Sequence, residues 1–236
     1  MITKSRADRS KGTRALVVLA VIMAAGLLGS CTGAGAHNTE PAKLVVNGAK
    51  VEVPYVLSID GKNVSLEEYR YYFLNTRCLM DKGDKSYWKE DPNGSLQQKL
   101  KIDTLKALKE TYAVEFLAEE LKLSLSKDEL SQIDNDVKNQ ISTLGGSIQY
   151  KQALGENHLT DALYRNLWKI NFYCEKLWVY YFSKGGEYHN SDSSFSEDEI
   201  NDRYSMQFQS IVSKKAAGLT VEFGPEYDII NVDSLT

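Results

Sequence analysis

Proline, histidine, cysteine and tryptophan are all scarce in this chain, at 4, 3, 3 and 3 of its 236 residues. With so few prolines, long stretches are free to be helical. Three cysteines without a CxxC spacing exclude a disulfide-dense scaffold and a cysteine-based zinc module. The histidines, His37, His158 and His189, stand far apart, and none joins Cys, Asp or Glu at metal-ligand spacing. They read as solvated surface or turn residues. Gly-x-Ser-x-Gly, His-Glu-x-x-His and Walker sequences are missing, and Asp134-Asn135-Asp136 lacks the glycine and terminal glutamate of a calcium loop. No catalytic residue, no metal and no cofactor is therefore expected. Nor is there an apolar run of bilayer length: Ala15 to Leu28 is uncharged, but its 14 residues fall short of the roughly 20 a spanning helix needs.

That short run is nevertheless informative in its setting. Lys4, Arg6, Arg9, Lys11 and Arg14 precede it, and Leu28-Gly29-Ser30-Cys31 closes it. A basic start, an apolar middle and small residues before a cysteine form a secretory signal. The ending resembles the bacterial lipobox, which implies acylation of Cys31, a mature chain beginning there, and an extracytoplasmic protein attached to a membrane through that lipid. Residues 1–30 are thus expected to be a signal peptide and 31–42, small and polar, a flexible tether. The signal takes five bases and one acid from totals of 28 and 32, leaving 23 basic and 31 acidic residues, a net charge of −8. Such a balance disfavours nucleic acid as a partner and supplies no polybasic membrane patch.

Residues 43–236 are long enough for one sizeable domain. Short β-favouring runs come first: Leu44-Val45-Val46, Val51-Glu52-Val53 and Tyr55 to Ile59, punctuated by Asn47-Gly48 and Asp60-Gly61. One or two short strands are expected there. Everything from Ser65 to Gly218 then reads as helix. Ser65-Leu66-Glu67-Glu68, Ser95-Leu96-Gln97-Gln98, Ser126-Lys127-Asp128-Glu129 and Ser196-Glu197-Asp198-Glu199 each have a hydroxyl with Glu or Gln three residues on, the pattern of a capping box, and Thr160 starts a fifth helix.

Apolar residues at helical spacing support the same elements, for example Leu100, Leu105, Leu108, Tyr112 and Phe116, or Ile133, Val137, Ile141 and Leu144. The expected helices run from about 96 to 122, from 126 to Gly145-Gly146, over 147–154, from Thr160 to Phe182 and from Ser196 to about Ala217. A strand at Leu219 to Phe223 should follow and pair with the one near Val56 to Ile59. The last strand can complete its own domain or that of a second copy in a homodimer. The fold class is mainly α, with a small β element joining the two ends.

Several phrases resemble the N-terminal chaperone domain of SurA and PrsA foldases. They are Ile59-Asp60-Gly61-Lys62-Asn63-Val64-Ser65, the aromatic helix start Tyr69-Arg70-Tyr71-Tyr72-Phe73, the helix end running from Ala118 to Ser126, Leu154-Gly155 to Leu159-Thr160, and Phe195 to Tyr204. The resemblance covers about residues 55–212 and implies a membrane-tethered folding factor for unfolded or partly folded secreted polypeptides. Full-length members also carry a parvulin-type prolyl isomerase domain after the last phrase. Here 32 residues follow Tyr204, without histidine or cysteine, so isomerase catalysis is not expected.

Aromatic residues occupy more than one side of two helices. Half of them suit a core, and the remainder suit a groove for extended peptide, because Tyr and Trp offer large contact area at low entropy cost. Tyr71, Tyr72, Trp168, Tyr173, Trp178 and Tyr181 are the candidate peptide contacts. An adaptor lipoprotein holding one dedicated cell-envelope partner is the alternative. Cys78 and Cys174 fit either a bridge or two buried thiols.

Overall fold

Two tight hairpins open the folded part, described by a computed structural model over residues 42–91, 93–189 and 195–235. The signal segment, Cys31, the tether as far as residue 41 and His37 lie outside those residues. Strands β1 (Leu44–Val46) and β2 (Ala49–Val51) pair around Asn47-Gly48, and β3 (Leu57–Ile59) and β4 (Lys62–Val64) pair around Asp60-Gly61. Both turns place both central residues at positive φ, 51° and 79° in the first and 45° and 79° in the second. Asn-Gly and Asp-Gly tolerate that left-handed geometry, which matches the twist of the flanking strands. The region holds four strands rather than one or two, because each turn supplies a partner for the run before it.

Six helices follow: α1 (Leu66–Asp81), α2 (Ser95–Glu120), α3 (Lys127–Thr143), α4 (Ser147–Glu156), α5 (Asp161–Phe182) and α6 (Glu197–Gly218). The protein is mainly helical, as its periodicity predicts. Hydroxyl caps start four of these helices: the side chains of Ser65, Ser126, Thr160 and Ser196 accept from the N–H three residues on. Ser95 does not act this way. It is already the first helical residue, and the Asp91 carboxylate caps α2 instead, accepting from Leu96 N (3.0 Å), Gln97 N (3.1 Å) and Ser95 Oγ (3.2 Å). A carboxylate reaching several orphan N–H groups at a helix start does this work better than a hydroxyl.

Helix α2 is the centre of the molecule, packed against α1, α5 and α6. Its Leu100, Leu108, Ala113, Val114 and Ala118 have no exposed surface. Helix α5 serves two groups of partners, α3 and α4 on one side and α2 on the other. Between α5 and α6 the space is filled by rings: Phe182 stacks on Tyr204 (4.5 Å), and Trp178 meets Tyr204 (6.0 Å) and Phe208 (5.8 Å) edge-on.

Strand β5 (Val221–Phe223) then pairs antiparallel with β3, Ile59 opposite Val221 and Leu57 opposite Phe223, giving a sheet of order β4-β3-β5 within one chain. Gly224 lies so close to β3 that a Cβ there would stand 2.6 Å from the Tyr55 carbonyl oxygen. The segment after it has no periodicity to predict it. It lies along the body, its carbonyls at Tyr227 and Asp228 accepting from Lys101 Nζ (3.1 and 3.0 Å), with Leu235 bridged to Leu44.

Candidate functional site

The six aromatic candidates divide by burial. Tyr71, Tyr72 and Tyr181 are 5%, 1% and 8% exposed, their rings packed in the core. Tyr72 also donates its hydroxyl to Thr111 Oγ1 at 2.9 Å, joining α1 to α2. Trp168, Tyr173 and Trp178, all on α5, keep part of their surface in solvent. Tyr180, next to the buried Tyr181, is 46% exposed, and Val179 is 60% exposed. Tyr180 lies seven residues from Tyr173, two helical turns, so the two share a face of α5. That face also carries Lys169 and Lys176, one turn from the tyrosines. On a neighbouring face Trp168 meets Tyr164 (6.4 Å) and Phe172 (6.5 Å). Helix α5 therefore presents aromatic surface outward along its length while burying its opposite side.

Close to Tyr173 lies a group of charges that no sequence motif announces. Lys62 of β4 reaches Glu119 (2.6 Å) and Glu115 (3.3 Å), one turn apart on α2, and its ammonium sits 4.5 Å from the centre of the Phe116 ring between them. Burial works against the charge on Lys62, but Glu119 and Glu115 outweigh it and hold the ammonium protonated above its ordinary range. Lys215 of α6 approaches the same ring at 5.8 Å while paired to Glu120 at 2.6 Å. Glu68, in the first turn of α1, accepts from the Tyr112 hydroxyl at 3.2 Å; burial pushes its carboxyl up to about 7, the Tyr112 hydroxyl opposes that shift, and Glu115 adds to it. Burial and the neighbouring Glu115 and Glu119 carboxylates raise the Tyr173 phenol as well. A carboxyl that titrates near neutrality beside a phenol and a lysine can exchange protons, but the residues are tied mainly to one another. Their members come from positions 62, 68, 112, 115 and 119, a separation that hides the cluster from any reading of local spacing.

His158 stands in a turn, one of the two expected settings, half-buried and left-handed with φ 58°. Burial, with Arg70 and Arg77 nearby, pushes its imidazole down to about 4. Cys174 carries a free, buried thiol, raised by burial to about 12, so no bridge joins it to Cys78. Among the described residues no group of His, Cys, Asp and Glu is placed to hold a metal ion, and no helix is long and apolar enough to cross a membrane. Comparison with family models, with curated proteins and with solved structures finds no match to this chain.

Proposed function

We propose that the mature chain works outside the cytoplasm, attached to a membrane by a lipid on Cys31, as a chaperone or foldase-like protein that holds unfolded secreted polypeptides without isomerising their prolines. The observation that carries this reading is the aromatic surface of α5, where Trp168, Tyr173 and Tyr180 keep solvent access beside a well-packed core, Trp178 adding only the edge it leaves uncovered at the α5–α6 seam. Aromatic side chains of this kind bind extended chains with little sequence preference, since their flat faces accept many apolar groups and their polar tips bond a peptide backbone. The signal pattern ending at Cys31 and the phrases between Ile59 and Tyr204 that resemble the SurA and PrsA foldases support the same reading.

Light scattering tests it. A soluble form of residues 32–236 is added in rising ratio to two unrelated unfolded proteins as denaturant is diluted. Dose-dependent suppression for both clients is expected, and Tyr173→Ala with Tyr180→Ala should weaken it. Unchanged scattering at several-fold excess would sink the reading. A second reading has its own observation: with Tyr71, Tyr72 and Tyr181 in the core, the candidate aromatics that keep solvent access all lie on one helix. That geometry suits an adaptor lipoprotein with one dedicated cell-envelope partner, for which scattering is unaffected while a single folded protein binds stoichiometrically.

A further inference from the structure

The chain writes one helix start three times, Ser65-x-x-Glu68, Ser126-x-x-Glu129 and Ser196-x-x-Glu199. In all three the serine Oγ accepts from the glutamate N–H, at 3.1, 3.2 and 3.3 Å. Glu129 and Glu199 then close the box, their carboxylates accepting from the N–H of Ser126 (2.6 Å) and Ser196 (2.8 Å). Burial opposes ionisation of Glu129 but is outweighed by the Ser126 N–H and Lys176; at Glu199 the Ser196 N–H comes first. Both carboxyls are held below their ordinary range. A helix N-terminus favours that negative charge. Glu68 departs from its two counterparts. It turns into the seam between α1 and α2 and takes the Tyr112 hydroxyl.

The charges facing that seam explain what the inward position requires. Glu115 of α2 stands beside Glu68, and the nearby cation, Lys62 of β4, is divided between Glu115 and Glu119. Lys176 of α5 is engaged by Glu129 at 3.0 Å, and Lys215 of α6 by Glu120. Tyr72, one turn along α1, and Tyr173 of α5 face the same groups and bring no positive charge. Glu115 and Glu119 thus take up that lysine between them. An ionised Glu68 at this place would add a second negative charge against Glu115 in a half-buried seam, a cost that the Tyr112 hydroxyl offsets only in part.

We propose that Glu68 is a two-position proton switch: protonated, it lies inward and links α1 to α2 through Tyr112; ionised, it swings out to the Ser65 N–H and closes the same box that Glu129 and Glu199 close. The two positions are discrete rotamers of one side chain, each with its own hydrogen-bond partner. Raising the pH therefore exchanges a tie between two helices for a tie within one. This switch is independent of what the protein binds.

The test uses the full-length protein in detergent with glutamate side chains labelled for carbon NMR. One carboxyl should titrate near neutrality and vanish from the spectrum of Glu68→Gln, and the Ser65 amide shift should move with the same midpoint. Glu115→Gln should lower that midpoint, because the repelling charge is gone. Relative to Glu68→Gln, the folded-to-unfolded ratio of the native chain should rise about tenfold between pH 8 and pH 6, as proton uptake by the folded state requires. A Glu68 that titrates with the ordinary carboxylates overturns the proposal. So does a Glu68 that titrates near neutrality while the Ser65 amide stays still, since the group is then a buried acid that does not move.

Discussion

The hydrogen bond from Tyr72 to Thr111 offers a sharp test of how the α1–α2 seam is built. Both side chains are buried, at 1% and 5% exposure, and the chain of donors runs from Tyr72 Oη to Thr111 Oγ1 (2.9 Å) and from Thr111 Oγ1 to the Ala107 carbonyl (3.1 Å). Tyr72→Phe removes the first donor and leaves Thr111 still bonded to Ala107. Its cost should be that of one neutral hydrogen bond, about 1 kcal/mol. Thr111→Val leaves the Tyr72 hydroxyl buried with nothing to bond, so the desolvation of that group is added and the cost should reach about 2 kcal/mol. With both changes no orphan remains, and the double variant should be destabilised by about 1 kcal/mol, well short of the sum. Urea unfolding followed by circular dichroism measures all four proteins, with unchanged m-values as the check that the unfolded state is not what moved. If the two single costs simply add, the hydroxyl pair is not an isolated buried couple and the reasoning fails.

Three further outcomes follow from other parts of the fold. His158→Asn suits the left-handed backbone at that turn and removes the imidazole, which resists protonation in the fold. The native chain should therefore lose stability as pH falls from 6.5 toward 4, by about 2 kcal/mol, a loss that acid titration of the variant should not show. Gly224→Ala places a methyl 2.6 Å from the Tyr55 oxygen, so β5 should be displaced from β3, with a cost of about 2 kcal/mol by urea unfolding and faster amide exchange at Leu57 to Ile59. Asp91→Ala should lower the melting temperature more than Ser95→Ala, because the carboxylate and not the hydroxyl holds the start of α2; equal effects would return the cap to Ser95.

Helix existence was legible because its signals are local. Ser65, Ser126, Thr160 and Ser196 each act on an N–H three residues away, and the two Asx-Gly turns need nothing but their own residues. The cap of α2 was misread because Asp91 sits four residues before the helix, outside the spacing that Ser95 and Gln98 happen to match. The segment from 224 to 235 was invisible for a different reason: it is held by Lys101, Gln97 and Arg77, more than 120 residues away in sequence. Tyr181 lies in the core and not in a peptide groove because a broad apolar stripe does not tell which side of a helix meets α2. Glu68 is the clearest case. Its motif is identical to two others, and what sets it apart is Tyr112, 44 residues away.

The pairing of β3 with β5 also dictates an order of events during synthesis. Thr220 N–H donates to the Asp60 carboxylate and the Asp60 N–H to the Thr220 carbonyl, across 160 residues of chain. A polypeptide emerging from its N-terminus offers β3 only β4 as a partner until α6 has followed, so the open edge of β3 has to wait through nearly the whole passage. Contacts of such long separation form slowly. Final closure of this domain is therefore a late step, and the helices around α2 can assemble before the sheet that joins the two ends exists.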